Sequence, residues 1–247
     1  MMPHPPALGH SDPATWALIP AHNEARSIGE VVRRALPHLG AVFVVADGCT
    51  DRTAETAAEA GAAVIALPER RGKATALRHG WAALAAEPAW RQLVLLDGDG
   101  QHDPASIPAL IAARAATGAE LVLGRRDFEG TPMPLARRWT NRLMSRVLSH
   151  RVGQGVADSQ CGFRLATREF LESRHWRSNH FEIESEMILH AAARGWRVAE
   201  VPIATVYRQE QSKISPCRDA WRWLRLLQRE ATPDEGLFTN SGGSRWL

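Results

Sequence analysis

The chain has 247 residues, 45% of them hydrophobic, with 30 Lys and Arg against 27 Asp and Glu. That length and apolar content suit one globular domain with a full core and exclude a disordered chain, while a net charge of +3 gives no footing for a nucleic-acid partner. No run approaches the ~20 apolar residues of a membrane span, and the Pro- and His-rich residues 1–13 lack the apolar segment of a secretory signal.

The first 125 residues alternate short apolar runs with helical patterns. Trp16–Pro20 reads as a strand, then Ser27–Leu36 as a helix. Val42–Ala46, Ala63–Leu67, Leu93–Leu96 and Leu121–Gly124 read as further strands. Between them, Asp51–Ala60, Lys73–Ala86 and Pro104–Ala116 read as helices. This alternation predicts an α/β fold, a mostly parallel sheet with helices on both faces. Beyond it come an Arg-rich helix Leu135–Ser149, a polar loop Gly153–Gly162, a helix Phe181–Arg194, a strand Trp196–Pro202 and a last helix Asp219–Arg229. We expect flexible ends at 1–13 and 231–247 around one domain over 14–230, with residues 14–126 serving a donor and 127–230 an acceptor. Cys49, Cys161 and Cys217 are odd in number and widely spaced. They form neither a metal motif nor a disulfide framework, so a cytoplasmic setting is expected.

In an open parallel sheet, ligands sit beyond the carboxyl ends of the strands. Three strands here deliver acids to that rim: Pro20-Ala21-His22-Asn23-Glu24, Asp47-Gly48-Cys49-Thr50-Asp51 and Asp97-Gly98-Asp99-Gly100-Gln101-His102-Asp103. Asp97 and Asp99 stand at i and i+2 directly after an apolar strand. Two such carboxylates can share one Mg2+ or Mn2+, hard ions that prefer oxygen. Gly98 between them would let the backbone approach a ligand. Asp103, before Pro104, reads as a helix N-cap, and Asp51 reads the same way. Asp47 either accepts hydrogen bonds from a nucleotide or caps its own turn. Glu24 is either a nucleotide ligand or a first-turn helix acid, and Lys73 either a phosphate contact or a solvated residue. The first strand lacks the Gly-x-Gly-x-x-Gly turn of dinucleotide-binding enzymes, and Gly72-Lys73-Ala74 lacks the spacing of a P-loop.

Ile19–Glu24, Asp47–Asp51, Gly72-Lys73 and Asp97–Gln101 resemble the successive motifs of family 2 glycosyltransferases with the GT-A fold. Gly124-Arg125-Arg126, Asp158–Arg164, Glu182–Met187, Glu200–Ile203 and Gln211-Ser212-Lys213 follow in order. Together they are similar to the dolichyl-phosphate (polyprenyl-phosphate) mannosyl- and glucosyltransferase branch over residues 15–230. The resemblance implies a nucleotide-sugar donor pocket of Pro20, His22, Glu24, Asp47 and Lys73, with Gly98 against the donor. It implies a metal and diphosphate site of Asp97, Asp99 and Gln101, and Arg126, Arg208 and Lys213 closing over phosphates. His22 stands where relatives often carry an aromatic residue, and Ala46-Asp47 where many carry two acids.

For an acceptor phosphate the candidates are Arg137, Asn141, Arg164, Ser212 and Lys213. Arg137, Asn141 and Ser145 share one helical face, and Arg with polar neighbours suits phosphate. The implied acceptor is a polyprenyl phosphate or another lipid. A phosphomonoester needs no general base, so direct displacement with inversion is expected. A hydroxyl acceptor would need one, for which Glu182 or Glu184 are candidates. A non-catalytic nucleotide-sugar-binding module is the remaining alternative. In the last helix Arg218, Arg222, Arg225 and Arg229 cluster on one face and Trp221, Leu224 and Leu227 on another. That pattern reads either as a peripheral contact with the inner face of a membrane or as a helix packed on the core.

Overall fold

The structure, a computed structural model, describes residues 12–127, 135–204 and 216–229, with the backbone alone for 135–137 and 216–220. Seven strands form one sheet: β1 (Asp12–Ala21), β2 (Leu39–Asp47), β3 (Ala63–Leu67), β4 (Gln92–Leu95), β5 (Leu121–Arg126), β6 (Arg164–Thr167) and β7 (Val198–Ile203), in the order β3-β2-β1-β4-β6-β5-β7. All pairings are parallel except those of β6, which runs antiparallel to both β4 and β5. The helices are α1 (Ile28–Ala35), α2 (Thr53–Glu59), α3 (Lys73–Leu84), α4 (Ile107–Thr117), α5 (Leu135–Val152), α6 (Arg168–Glu172), α7 (Ile183–Ala193) and α8 (Pro216–Arg229).

The run Trp16-Ala17-Leu18-Ile19 is buried throughout because β1 is central and both of its faces are covered. Alternation along a strand sends successive side chains to opposite faces. Trp16, Leu18, Phe43, Val45, Leu93 and Leu95 pack with Leu77 and Trp81 of α3 and Met187 of α7. Ala17, Ile19, Val42, Val44 and Val94 pack with Ile28 and Val32 of α1 and Leu110 of α4. The sheet is therefore sandwiched, as the α/β pattern predicts.

Three departures matter for the site. β1 begins at Asp12, so residues 12 and 13 belong to the sheet and not to a flexible end. The helix expected from Pro104 begins as a 3-10 turn, Pro104–Ser106, with Asp103 capping it by accepting from Ala105 N at 2.9 Å. β6 and the short α6 were not foreseen. Because β6 is antiparallel, its first residue, Arg164, lies at the same rim as the last residues of β1, β2 and β4.

Side-chain hydrogen bonds tie α8 to α5 and α7. Ser145 reaches Trp223 through Ser159, Gln160 and Ser185, every link 3.0 or 3.1 Å. Six residues on in α5, Arg151 donates to the Leu227 carbonyl at 3.2 Å. The last helix is thus part of the core: Trp223, Leu226 and Leu227 are buried. Leu227, which the sequence places with Trp221 and Leu224 on one face, packs inward, as the core-packed alternative has it. Trp221 and Leu224 remain more than half exposed, as do Trp139 and Leu143 of α5.

Candidate active site

The rim is built by locking loops to one another. His22 Nδ1 lies 2.6 Å from the Asp47 carbonyl. Asn23, with a φ of 56°, turns the chain after β1 and accepts from Thr50 N at 2.8 Å through its side chain. Glu24 N donates to Thr53 Oγ1 at 2.8 Å. Asp51 accepts from Thr53 N at 3.0 Å and from Ala25 N at 3.2 Å. Asp47 is buried at 4% exposure and accepts from Arg71 N at 2.7 Å and Gly72 N at 2.8 Å. Its carboxylate thus holds the loop that leads into α3, where Gly72 has a φ of 95° that only glycine adopts without strain. Asp47 therefore does not cap its own turn; its side chain braces the separate loop before α3.

Lys73 opens α3 and points at the acidic pair. Its Nζ lies 2.5 Å from Asp97 Oδ1 and 2.7 Å from Glu184 Oε1. It is engaged by both carboxylates and only 13% exposed, so it is not a solvated residue. Burial would lower its pKa, but Asp97 and Glu184 together raise it, so it stays an ammonium. Burial would likewise raise Asp97, and Lys73 outweighs it to hold the carboxyl below its usual range. His102 stands 4.0 Å from Asp97 Oδ2. Burial pulls His102 down to about 4, so at neutral pH it is an uncharged imidazole stacked on Phe163 and the lysine carries the pairing. No ion pair to Asp99 is formed among the described residues, and the pull of Lys73 on it is outweighed. Burial first, then Asp97 and Glu24, push it up to about 7. Its Oδ1 accepts from Gln101 N at 2.9 Å.

This donor set fits a hard divalent ion. Asp97, Asp99 and Glu24 concentrate negative charge around Asp99, which is the electrostatic condition a divalent cation relieves. Among the described residues no group of three or more His, Cys, Asp and Glu converges as a complete metal cage. Asp97 and Asp99 with Gln101 would leave positions for a ligand's oxygens.

Several expected roles change with the geometry. A Cβ on Gly98 would lie 3.2 Å from Ala21 Cβ and Ile28 Cδ1, so the glycine serves packing against its own chain and not ligand approach. Arg126 grips Asp158 with two bonds, Nε to Oδ2 at 2.7 Å and Nη2 to Oδ1 at 2.9 Å. Arg164 is 1% exposed and donates to the carbonyls of Cys161, Glu184 and Ser159 at 2.6–2.7 Å. A guanidinium committed in this way orders the 158–162 loop and does not face an acceptor. Ser145 is buried against Ser159, so only the Asn141 end of that face remains at the surface. Arg137 is placed within α5 by its backbone alone, and Arg208, Ser212 and Lys213 lie outside the described residues. Sequence reasoning missed His102 behind Asp97 and Asp158 under Arg126. Both lie inside quoted motifs, which was the available signal.

The sandwiched sheet and its acidic rim define a GT-A glycosyltransferase. The chain belongs to glycosyl transferase family 2, whose family model matches residues 16–174. Among relatives it is 32% identical over 227 residues to the low-salt glycan biosynthesis hexosyltransferase Agl6 of Haloferax volcanii, spanning 87% of this chain and 53% of that one. It is 31% identical over 198 residues to a dolichyl-phosphate hexose transferase of the same organism, covering 79% of this chain and 84% of that one. Among solved structures it superposes on glucosyl-3-phosphoglycerate synthase from Mycobacterium tuberculosis in complex with Mn2+ and UDP-glucose. That match has a TM-score of 0.70 and 25% identity, and covers 90% of this chain and 81% of that chain.

Proposed function

We propose that this enzyme transfers a hexose from a nucleotide sugar to a polyprenyl phosphate or a similar lipid phosphate, with inversion and with Mg2+ or Mn2+. The observation that carries the choice of acceptor is the state of the acids on α7. Glu184 is ion-paired to Lys73, and Glu186 is fully buried, accepting from Arg177 N at 3.0 Å and Ser178 N at 2.9 Å. Neither is poised to take a proton from an incoming hydroxyl, which a sugar acceptor requires. A phosphomonoester has a second pKa of about 6 and is already an anion at neutral pH. It needs orientation and charge, not a base. The similarity to a dolichyl-phosphate hexose transferase supports the same acceptor.

In this reading Pro20, His22, Glu24 and the Asp47 turn form the nucleotide side of the rim. A divalent ion held by Asp97, Asp99 and Gln101 would supply Lewis-acid neutralisation of the departing diphosphate. Lys73 keeps Asp97 ionised, and the Arg126–Asp158 fork fixes β5 to the loop before β6. Acceptor contacts are assigned to Asn141, Arg137, Ser212 and Lys213, and Arg208 to phosphate closure. The exposed Trp139, Leu143, Trp221 and Leu224, set among Arg142, Arg146, Arg222 and Arg225, suit an anionic bilayer surface where such a lipid resides. No described helix is long and apolar enough to cross a membrane.

The anomeric configuration of the product tests the displacement. We expect an α-linked donor to give a β-linked glycosyl phosphate, read by NMR coupling constants. Retention would overturn the single-displacement reading. The second reading is a hydroxyl acceptor served by Glu182, which is only partly buried and accepts from Asn179 N at 3.4 Å. A Glu182→Gln enzyme that turns over lipid phosphate unchanged would dismiss it.

A further inference from the structure

One ammonium at the rim serves two carboxylates from different elements. Lys73 is shared between Asp97 and Glu184 at 2.5 and 2.7 Å. Glu184 is 5% exposed, and its other oxygen, Oε2, has no hydrogen-bond partner among the described residues. A buried carboxylate oxygen without a partner costs stability. It also leaves Glu184 with capacity to hold the lysine more completely. A small cavity lined by Pro20, Lys73, Leu95, Gly162, Glu184 and Met187 adjoins the pair, and the ammonium already touches both carboxylates, so passing to Glu184 needs no large movement. Space for the pair itself is kept by Gly162. A Cβ there would lie 2.6 Å from Lys73 Nζ and 2.7 Å from Asp97 Oδ2.

We propose that Lys73 is a built-in substitute for the divalent ion, neutralising Asp97 before the ion arrives and passing to Glu184 when the ion takes Asp97. The inference rests on the metal-assisted reading proposed above. Two carboxylates two residues apart repel, and a tethered cation relieves that repulsion in the free enzyme. A cation with nowhere to go would compete with the incoming ion. Glu184 removes that obstacle, since breaking a buried ion pair without a replacement partner is strongly unfavourable. Lys73 and Glu184 are therefore positioning residues for the ion.

The test is Mn2+ binding to the full-length protein, with and without UDP, by electron paramagnetic resonance of the free ion. Because a neighbouring opposite charge shifts a site's affinity for a cation by a factor of ten or more, Lys73→Gln should bind Mn2+ about tenfold more tightly than wild type. Glu184→Gln, which leaves Lys73 with Asp97 alone, should bind about tenfold more weakly. Lys73→Gln/Glu184→Gln removes both charges together, leaves no unpaired carboxylate at 184, and should bind as Lys73→Gln does. This double variant carries the test if the single lysine variant does not fold. A lysine that merely braces the site would make every variant weaker, so a Lys73→Gln and a double variant no tighter than wild type would overturn the proposal. Asp99→Asn separates the two ideas. If it abolishes Mn2+ binding while the lysine variants show no gain, only the exchange fails. If wild type itself binds no better than Asp99→Asn, the metal-assisted reading fails and the exchange with it.

Discussion

Cys161 shows how far the rim is sealed at the scale of single residues. Burial pushes its thiol up to about 12, so at pH 8 it carries no appreciable thiolate, the reactive form. Cys49 is only half-buried, its thiol donating to the Ala21 carbonyl at 3.4 Å. Iodoacetamide at pH 8 should label Cys49 in the native protein and Cys161 only after unfolding. Mass spectrometry finding Cys161 labelled first would contradict the packing described. The Arg126–Asp158 fork is buried on both sides. Removing one partner of such a pair costs about 3–5 kcal/mol, so Asp158→Ala should lower the melting temperature by roughly 10 °C. A change within 1–2 °C would mean the fork is dispensable. These partners are where sequence reading runs out. The Asp-Gly-Asp turn after an apolar strand is legible because both signals are local. Lys73 and Glu184 are far apart in the chain, and no spacing rule says that one ion-pairs with the other. The same holds for Arg164. A motif arginine reads as a phosphate ligand until the fold shows its donors turned to three carbonyls.

At the scale of elements, the first five strands were legible because each is an apolar run bounded by turn residues, and a two-sided parallel sheet needs such runs. β6 was not. It has only four residues, Arg-Leu-Ala-Thr, begins with a charge, and is defined by antiparallel partners on both sides. Helix α8 was half legible. Its charge pattern is visible, but which apolar residues face inward depends on α7. Glu186 makes that junction. It lies 3.3 Å from Arg174 and 3.4 Å from Arg229 while capping two backbone amides. Glu186→Ala should release the 174–178 segment and α8 together, seen as faster amide exchange across 216–229. Unchanged exchange there would show that Trp223 and Leu226 hold the helix unaided. The β2–α2 turn gives a pH test. Burial acts to raise Asp51, but hydrogen bonds from Thr53 and Ala25 outweigh it and its pKa is lowered. A lowered carboxyl pKa stabilises above the unfolded value of about 3.9 and loses that contribution as pH falls through the folded value. The melting-temperature difference between wild type and Asp51→Asn should be present at pH 6 and shrink as pH falls below the unfolded value of about 3.9. A difference independent of pH would point to shape and not charge.

For the whole molecule, the sheet brings the loops after β1, β2 and β4 and the loop before β6 to one rim. The exposed Trp and Leu residues of α5 and α8 lie on the second half of the chain, which the proposal gives to the acceptor. If that surface meets a bilayer, the protein should co-sediment with anionic vesicles at low salt. Trp139→Ser/Trp221→Ser should then lose binding without losing folded structure. No co-sedimentation with anionic vesicles at low salt would remove the membrane contact and leave the fold account intact. The central claim is tested most directly by nucleoside diphosphate release from purified protein. It should be offered UDP-glucose, UDP-N-acetylglucosamine or GDP-mannose with Mn2+, with and without a short polyprenyl phosphate. The account predicts release that requires one donor, the ion and the lipid phosphate, and that is lost in Asp99→Ala. Release that persists in Asp99→Ala, or that ignores the lipid phosphate while following a hydroxyl acceptor, would contradict it.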